Sequence, residues 1–118
     1  MIKRILICDD DENILEATKI ILSDKGYEVE AAKSGEEACK KLKEKEFDVL
    51  LLDLWMPTLD GKETTKFLKS QEKTKNLPII IFSASSQIEK ITREIGADGY
   101  LKKPFDILEL EKIIEEHA

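Results

Sequence analysis

The chain has 118 residues, of which 42% are hydrophobic and 37% are charged, and its net charge is −6. This length suits one domain, so we expect residues 1–118 to form a single unit with a sizeable core. The acidic balance argues against nucleic acid as the main partner, and no apolar run is long enough to cross a membrane.

The N-terminal segment and the cysteines indicate a reducing compartment. Residues 1–12 turn acidic where a signal peptide would continue apolar, which favours a cytoplasmic location. Cys8 and Cys39 fall in a predicted strand and a predicted helix, so we expect both thiols to be free and buried. Two cysteines and one histidine are too few ligands for a typical zinc site.

Five short apolar runs alternate with amphipathic stretches along the chain. The runs have the length and the Ile, Leu, Val and aromatic content of strands: 4–8, 27–32, 47–53, 78–84 and 99–103. Five strands in strict alternation with five helices predict a parallel sheet that is covered on both faces.

The helical stretches carry start and stop signals. The first helix is expected from about residue 12 to residue 25, with Gly26 ending it. Its inward face is predicted to be Ile14, Thr18, Ile21 and Leu22. Ser or Asp followed three residues later by Glu, the spacing of a capping box, marks four helix starts: Ser34–Glu37, Asp60–Glu63, Ser86–Glu89 and Asp106–Glu109.

The hydrophobic pattern also predicts the strand order. The first, third and fourth runs are nearly all apolar and should be central, whereas the second alternates with glutamate and the fifth contains Lys102 and Lys103. Edge positions for the second and fifth strands give a doubly wound (βα)5 flavodoxin-like α/β fold with the order 2-1-3-4-5. Ligands of such sheets bind beyond the carboxyl ends of the strands, between strands 1 and 3.

Five polar side chains lie at the predicted carboxyl ends of four strands. Asp9 and Asp10 follow the first strand, whereas Asp53, Ser83 and Lys103 end the third, fourth and fifth strands. Two unit charges about 4 Å apart repel by roughly 4 kcal/mol at a surface-like dielectric, so three carboxylates imply a shared proton or a bound cation. Oxygen ligands without His or Cys favour Mg²⁺.

A cation site beside a lysine and a hydroxyl suits a phosphoryl group, because phosphoryl transfer depends mainly on positioning and charge neutralisation. The chain has no Gly-rich phosphate loop, so ATP is not the obvious ligand. A carboxylate can itself accept the phosphoryl group, and Asp53 is the candidate because it projects from the central strand.

Each of these residues also has an ordinary structural explanation. The aspartates after the first strand could cap the first helix, and Asp53 could cap a turn before Pro57. Lys103 could be a surface residue before a turn, and Trp55 is of a type more often used for packing. Their joint occurrence at the ends of four strands favours the functional interpretation.

Taken in order, these motifs resemble the receiver domain of bacterial two-component response regulators, of the chemotaxis-regulator type. The resemblance covers the whole chain and rests on ILICDDDE, LLLDLWMPTLDG, IIIFSAS and GADGYLKKPF. It implies a phosphorylation-activated signalling switch, not an enzyme with a released product, that catalyses only its own aspartate phosphorylation and dephosphorylation. The implied donor is a sensor histidine kinase or a histidine phosphotransfer protein, and the implied output is a downstream effector bound in trans.

The resemblance assigns roles around the metal. Asp53 matches the phosphoaccepting aspartate, which also contacts Mg²⁺. Asp10 matches the direct metal ligand and Asp9 its acidic neighbour. Trp55 matches the position whose backbone carbonyl completes the metal site, and Pro57 is expected to help fix the turn that follows.

The resemblance also implies a switch. Ser83 matches the hydroxyl that moves to the phosphoryl oxygen, and Lys103 matches the lysine that pairs with the phosphoryl group. The bond between Lys103 and Pro104 is expected to be cis. Tyr100 matches the aromatic residue that turns inward and changes the surface of helix 4, strand 5 and helix 5.

Some features qualify the resemblance. The stretch between Ser83 and Lys103 is slightly shorter than usual, which predicts a trimmed loop into helix 4. Trp55 is bulky for its position, and we expect it to tune dephosphorylation together with Ser85, because the two flank the path of the attacking water. Exposed residues of helix 1, such as Asn13 and Ile14, are expected to help select the kinase.

Three alternatives stay open. A flavodoxin-like cofactor binder would use the same switch point, but the acidic CDDDEN segment would repel a phosphate without a cation. An aspartate-dependent phosphatase would use an Asp–x–Asp after the first strand, which residues 9–11 contain, but would leave Asp53 unexplained. A protein-interaction module that has lost phosphorylation would not need the complete acceptor set.

Overall fold

The structure is a computed structural model that describes residues 2–56 and 59–118. Strands and helices alternate through the chain as β1 (Arg4–Cys8), α1 (Glu12–Asp24), β2 (Glu28–Ala32), α2 (Gly35–Glu44), β3 (Val49–Asp53), α3 (Gly61–Lys69), β4 (Ile79–Ser83), α4 (Ile88–Ile95), β5 (Gly99–Lys102) and α5 (Ile107–His117). The five strands are parallel and lie in the order β2-β1-β3-β4-β5. The predicted α/β fold and strand order are therefore confirmed.

The alternation of side chains along the strands divides the core into two layers. One layer faces α2, α3 and α4 and is built on the even-numbered residues of β1 and β3 and the odd-numbered residues of β4: Leu6, Cys8, Leu50, Leu52, Ile79 and Ile81. The other layer faces α1 and α5 and includes Ile5, Ile7, Val49, Leu51, Ile80 and Phe82. Both faces of the sheet are covered, which is why the central strands are apolar throughout.

The inward face of α1 differs from the prediction. Leu15 and Leu22 are its buried residues, whereas Ile14, Thr18 and Ile21 are half-buried. The helix packs with Leu15 and Leu22, seven residues apart, at the centre of its contact face. Leu22 is therefore confirmed, whereas the other three predicted residues lie along the margin of that face and Leu15 was missed. The helix ends at Asp24, and Gly26 follows with a φ of 96°.

Three of the four predicted capping pairs are confirmed at their backbone contact. Ser34, Asp60 and Asp106 each accept a hydrogen bond from the N–H of the glutamate three residues on. In α2 the reciprocal bond is displaced by one residue, because the Glu37 carboxylate accepts from the N–H of Lys33 at 3.2 Å.

The fourth pair, Ser86–Glu89, is wrong. Helix α4 begins at Ile88 with Gln87 as its N-cap, and no side chain in the described ranges caps its first turn. The chain before it follows two successive serine turns instead. Ser83 Oγ accepts from the N–H of Ser85 at 3.1 Å, and Ser85 Oγ accepts from the N–H of Gln87 at 3.0 Å. These local bonds delay the start of the helix.

The structure also tests the expected burial of the cysteines and the expected bounds of the strands. Both cysteines are free, and Cys8 is buried, but Cys39 is only half-buried because it lies beside a groove between α2 and α3. The predicted bounds of the first strand are confirmed, and those of the other four strands are one or two residues too wide. Among residues 2–56 and 59–118, no helix combines the length and hydrophobicity needed to span a bilayer. Pro57, expected to help fix the turn after β3, lies outside the described residues.

Opposite the carboxyl ends of the strands, Asp98 joins four segments. Its carboxylate accepts from the N–H of Ile79 at 2.8 Å and from the Lys69 ammonium at 2.7 Å. Its carbonyl lies 3.2 Å from Nε2 of His117 at the end of α5. Asp98 therefore ties α3, β4, β5 and α5 together at the end of the sheet away from the aspartate cluster.

Candidate functional site

Three carboxylates meet beyond the carboxyl ends of β1 and β3. Asp9 and Asp10 follow β1, Asp53 is the last residue of β3, and the two strands pair with Cys8 beside Leu52. Oxygens of the three aspartates lie within 4.8 Å of one another. Asp9 and Asp53 are buried, whereas Asp10 is exposed at the mouth of the cluster.

Lys103 reaches this cluster from the edge of the sheet. Its backbone N–H donates to the Ser83 carbonyl at 2.8 Å, which extends the β4–β5 pairing by one residue. Its ammonium lies 3.3 Å from Asp9 Oδ2 and 3.4 Å from Asp53 Oδ1, and 4.9 Å from the centre of the Phe82 ring. The peptide bond between Lys103 and Pro104 is cis.

Burial makes the ionised form of Asp53 costly. Loss of solvent raises its pKa to about 6, the negative charge of Asp9 adds to the effect, and Lys103 opposes it. Burial also raises the pKa of Asp9, although the Asp11 N–H donates to its carboxylate at 2.9 Å. One ammonium therefore faces three carboxylates and does not neutralise them.

The predicted switch residues lie on the neighbouring strands. Ser83 is buried at the end of β4, one residue beyond the Phe82 that pairs with Asp53. Its hydroxyl is engaged with the N–H of Ser85. Tyr100 lies on the edge strand β5 beside Ile81, and 39% of its surface is exposed.

The segment after β3 carries Trp55 between two buried residues. Leu54 is 1% exposed and Met56 is 8% exposed, whereas Trp55 is 62% exposed. The Trp55 side chain therefore faces outward and does not fill the site. Of this residue, only the backbone is available as a ligand in the arrangement observed.

Gly61 is a residue that the sequence reasoning did not single out. A Cβ atom at this first position of α3 would lie 2.5 Å from the Asp53 carbonyl oxygen and 2.8 Å from Leu54 Cα. Helix α3 can approach the end of β3 this closely only without a side chain there. The LDG of the third motif could have indicated this contact. Helical backbone angles do not require a glycine, so a glycine in the first turn of a helix points to a close approach of another part of the chain.

The donor set fits a hard divalent cation. Carboxylate and carbonyl oxygens are the ligands that Mg²⁺ takes from proteins, and it keeps several waters besides. Two buried carboxylates, one exposed carboxylate and a single ammonium leave an excess of negative charge that such an ion would offset. No Cys or His belongs to this cluster within the described residues.

The sequence comparisons agree with this geometry. A family model described as the response regulator receiver domain matches residues 5–115. The alkaline phosphatase synthesis transcriptional regulatory protein PhoP of Bacillus subtilis is 39% identical over 107 residues, which cover 89% of this chain and 44% of that protein. The response regulator MprA of Mycobacterium ulcerans is 40% identical over 109 residues, which cover 91% of this chain and 46% of that protein. The chain thus spans less than half the length of these curated relatives.

Solved structures give the same result at the level of the backbone. The chemotaxis response regulator CheY4 of Vibrio cholerae superposes with a TM-score of 0.92 at 33% identity, over 100% of both chains. The response regulator TrrA of Thermotoga maritima, solved in complex with Mg²⁺ and BeF, superposes with a TM-score of 0.89 at 35% identity, over 99% of this chain and 100% of that one.

Proposed function

Because the chain belongs to the response regulator receiver family, we propose that it is a phosphorylation-activated signalling switch whose phosphoryl acceptor is Asp53. One observation carries this assignment. Asp53 is a buried carboxylate that closes a central strand, and its oxygen faces the Lys103 ammonium at 3.4 Å. A carboxylate placed for packing or capping alone would not need two further carboxylates beside it.

The proposed metal site uses residues from two strands. Asp9, Asp10, Asp53 and the backbone carbonyl of Trp55 would hold Mg²⁺. When bound, the ion would supply positive charge against the oxygens of the phosphoryl group. The structure determined for TrrA contains Mg²⁺ and BeF, which supports the same assignment here.

In the proposed transfer, a carboxylate oxygen of Asp53 attacks the phosphorus of a phosphohistidine. A P–O bond forms, the P–N bond breaks, and its electron pair stays on the imidazole nitrogen. Lys103 is placed to pair with the incoming phosphoryl group, because its ammonium already lies between Asp9 and Asp53. Attack of water on the same phosphorus returns the Asp53 carboxylate and releases inorganic phosphate.

The switch follows from the change of charge at Asp53. A phosphoryl group brings more negative charge and more acceptor oxygens than a carboxylate. We expect the Ser83 hydroxyl to leave the N–H of Ser85 and donate to a phosphoryl oxygen. In this structure Tyr100 is partly exposed on β5. After phosphorylation it turns into the space beside β4 that the Ser83 hydroxyl has left, and the surface of α4, β5 and α5 changes.

The partners follow from the same proposal. A sensor histidine kinase or a histidine phosphotransfer protein donates the phosphoryl group, and a downstream effector reads the face of α4, β5 and α5 in trans. A cytoplasmic location belongs to this proposal as well. We expect Asn13 and Ile14, in the first turn of the helix that begins two residues after Asp10, to contact the donor.

The test is the intact mass of the protein after incubation with acetyl phosphate, with and without Mg²⁺. We expect the gain of one phosphoryl group that depends on Mg²⁺ and is lost in Asp53→Asn. Asp106→Asn is the matched control, since it removes an exposed helix-capping aspartate and leaves a side chain that caps as well. The absence of a mass gain, together with unchanged Trp55 fluorescence on addition of beryllofluoride, would favour the alternative of a protein-interaction module that has lost phosphorylation.

A further inference from the structure

A buried sulfur contact beside the carboxylates has no role in the proposed transfer. The Cys8 thiol, fully buried at the end of β1, lies 3.2 Å from the Ser34 carbonyl oxygen and can donate to it. The same sulfur lies 3.5 Å from the sulfur of Met56. Cys8 thus joins its own strand to the N-cap of α2 and to the segment that follows β3.

Met56 is the residue directly after Trp55, so the peptide unit between them carries the Trp55 carbonyl. On the other side, Leu54 is already fixed by backbone hydrogen bonds to β4 and α3. The Trp55 side chain, 62% exposed, adds little that could orient the backbone. The direction of that carbonyl therefore depends on how the buried Met56 side chain is held, and Cys8 is in contact with it.

We propose that Cys8 is a positioning residue of the metal site, which acts through Met56 on the orientation of the Trp55 carbonyl. The inference rests on the proposed function, because it takes that carbonyl as a metal ligand. Cys8 itself touches neither the ion nor the phosphoryl group. Loss of a group that orients a metal ligand typically lowers metal affinity by about 10- to 100-fold. Since Cys8 acts through a single van der Waals contact with Met56, we expect a loss at the lower end of this range.

The experiment titrates Mg²⁺ alone into the metal-free protein. The emission of Trp55, the one tryptophan of the chain, reports binding, and calorimetry measures it independently. Cys8→Ala withdraws the side chain from Met56 and should weaken Mg²⁺ binding about tenfold. Cys8→Val keeps the bulk against Met56 without the thiol and should recover most of the affinity. Cys39→Ala deletes a thiol that packs on the same core layer from α2, and it should bind Mg²⁺ as the wild type does.

A second variant tests the route of the effect. Met56→Ala should weaken Mg²⁺ binding as Cys8→Ala does, and the double variant should lose little more than either, since both act through one contact. Far-ultraviolet circular dichroism without Mg²⁺ shows whether each variant is folded. If Cys8→Ala does not fold, Met56→Ala takes its place as the test variant.

The outcomes separate this inference from the proposed function. Wild-type affinity in Cys8→Ala, or an affinity in Cys8→Val as low as in Cys8→Ala, would overturn the positioning role. If Mg²⁺ binding is at the same time abolished in Asp10→Asn, the proposed metal site stands and only the inference fails. A wild type that binds no Mg²⁺ would overturn both.

Discussion

Removing the charge of Asp53 should stabilise the metal-free protein at neutral pH. The carboxylate is buried at 6% exposure beside Asp9, and burial with this repulsion raises its pKa to about 6, above the ordinary value of 3.8. Asn has nearly the same shape and carries no charge that must be buried. Asp53→Asn should therefore unfold at a higher temperature and a higher urea concentration than the wild type, although it destroys the proposed acceptor.

The magnitude follows from linkage. Between about pH 4 and pH 6 the folded state keeps a proton on Asp53 that the unfolded chain has released, so wild-type stability falls as the pH rises through this window. The two pKa values differ by about 2, and each pH unit is worth about 1.4 kcal/mol, so the full effect is about 3 kcal/mol. The advantage of Asp53→Asn should be about 3 kcal/mol near pH 7.5 and less than about 1 kcal/mol near pH 4.

Urea unfolding in the presence of a chelator, at both pH values, measures this difference. Asp106→Asn is the control, and its effect should stay below about 1 kcal/mol at either pH, because it changes only an exposed helix cap. Saturating Mg²⁺ should stabilise the wild type and leave Asp53→Asn nearly unchanged. The stability advantage of Asp53→Asn over the wild type should therefore shrink or reverse when Mg²⁺ is present. If Asp53→Asn is no more stable than the wild type at neutral pH, or if its advantage is as large at pH 4, then the buried charge of Asp53 does not destabilise the protein.

Three further changes test other parts of the structure. Gly61→Ala places a Cβ against backbone atoms and should destabilise by about 1–3 kcal/mol in urea unfolding, whereas its exposed neighbour variant Lys62→Ala should have little effect. Asp98→Ala removes an acceptor shared by a backbone N–H and an ammonium and should cost about 1–3 kcal/mol, which Asp98→Asn should partly restore. Trp55→Ala and Ser85→Ala should each shorten the lifetime of the phosphorylated protein, followed by the decay of the phosphorylated mass, because they open the path of the attacking water; unchanged lifetimes in both would dismiss that role.

The order of the strands, and the polar residues at their carboxyl ends, could be predicted without coordinates. A strand buried on both faces must be apolar, so 49–53 and 79–83 are recognisable as central, and edge strands tolerate charge. Once the strands are ordered, Asp9, Asp53 and Lys103 are expected at the same end of the sheet, since the carboxyl ends of parallel strands lie together. Residue types and the topology of parallel sheets are enough to predict this arrangement.

The details that the sequence left undecided depend on competition between contacts of similar strength. Ser86–Glu89 has the spacing of a capping box, but the serine turns through Ser83 and Ser85 use local bonds of the same kind and move the start of α4 to Ile88. Similarly, Ile14 and Leu15 are equally apolar, and only packing on the sheet selects Leu15 for the core.

The sequence by itself determined which residues occupy the acidic rim, because charge and hydrophobicity dictate which strand is buried and what can follow it. Only the tertiary structure decided that the Lys103 ammonium lies between Asp9 and Asp53, that α3 closes on β3 at Gly61, and that Cys8 meets Met56. These contacts join residues far apart in the chain and depend on distances of a few ångströms. Such distances arise from how the whole core packs, and no local pattern of residues encodes them.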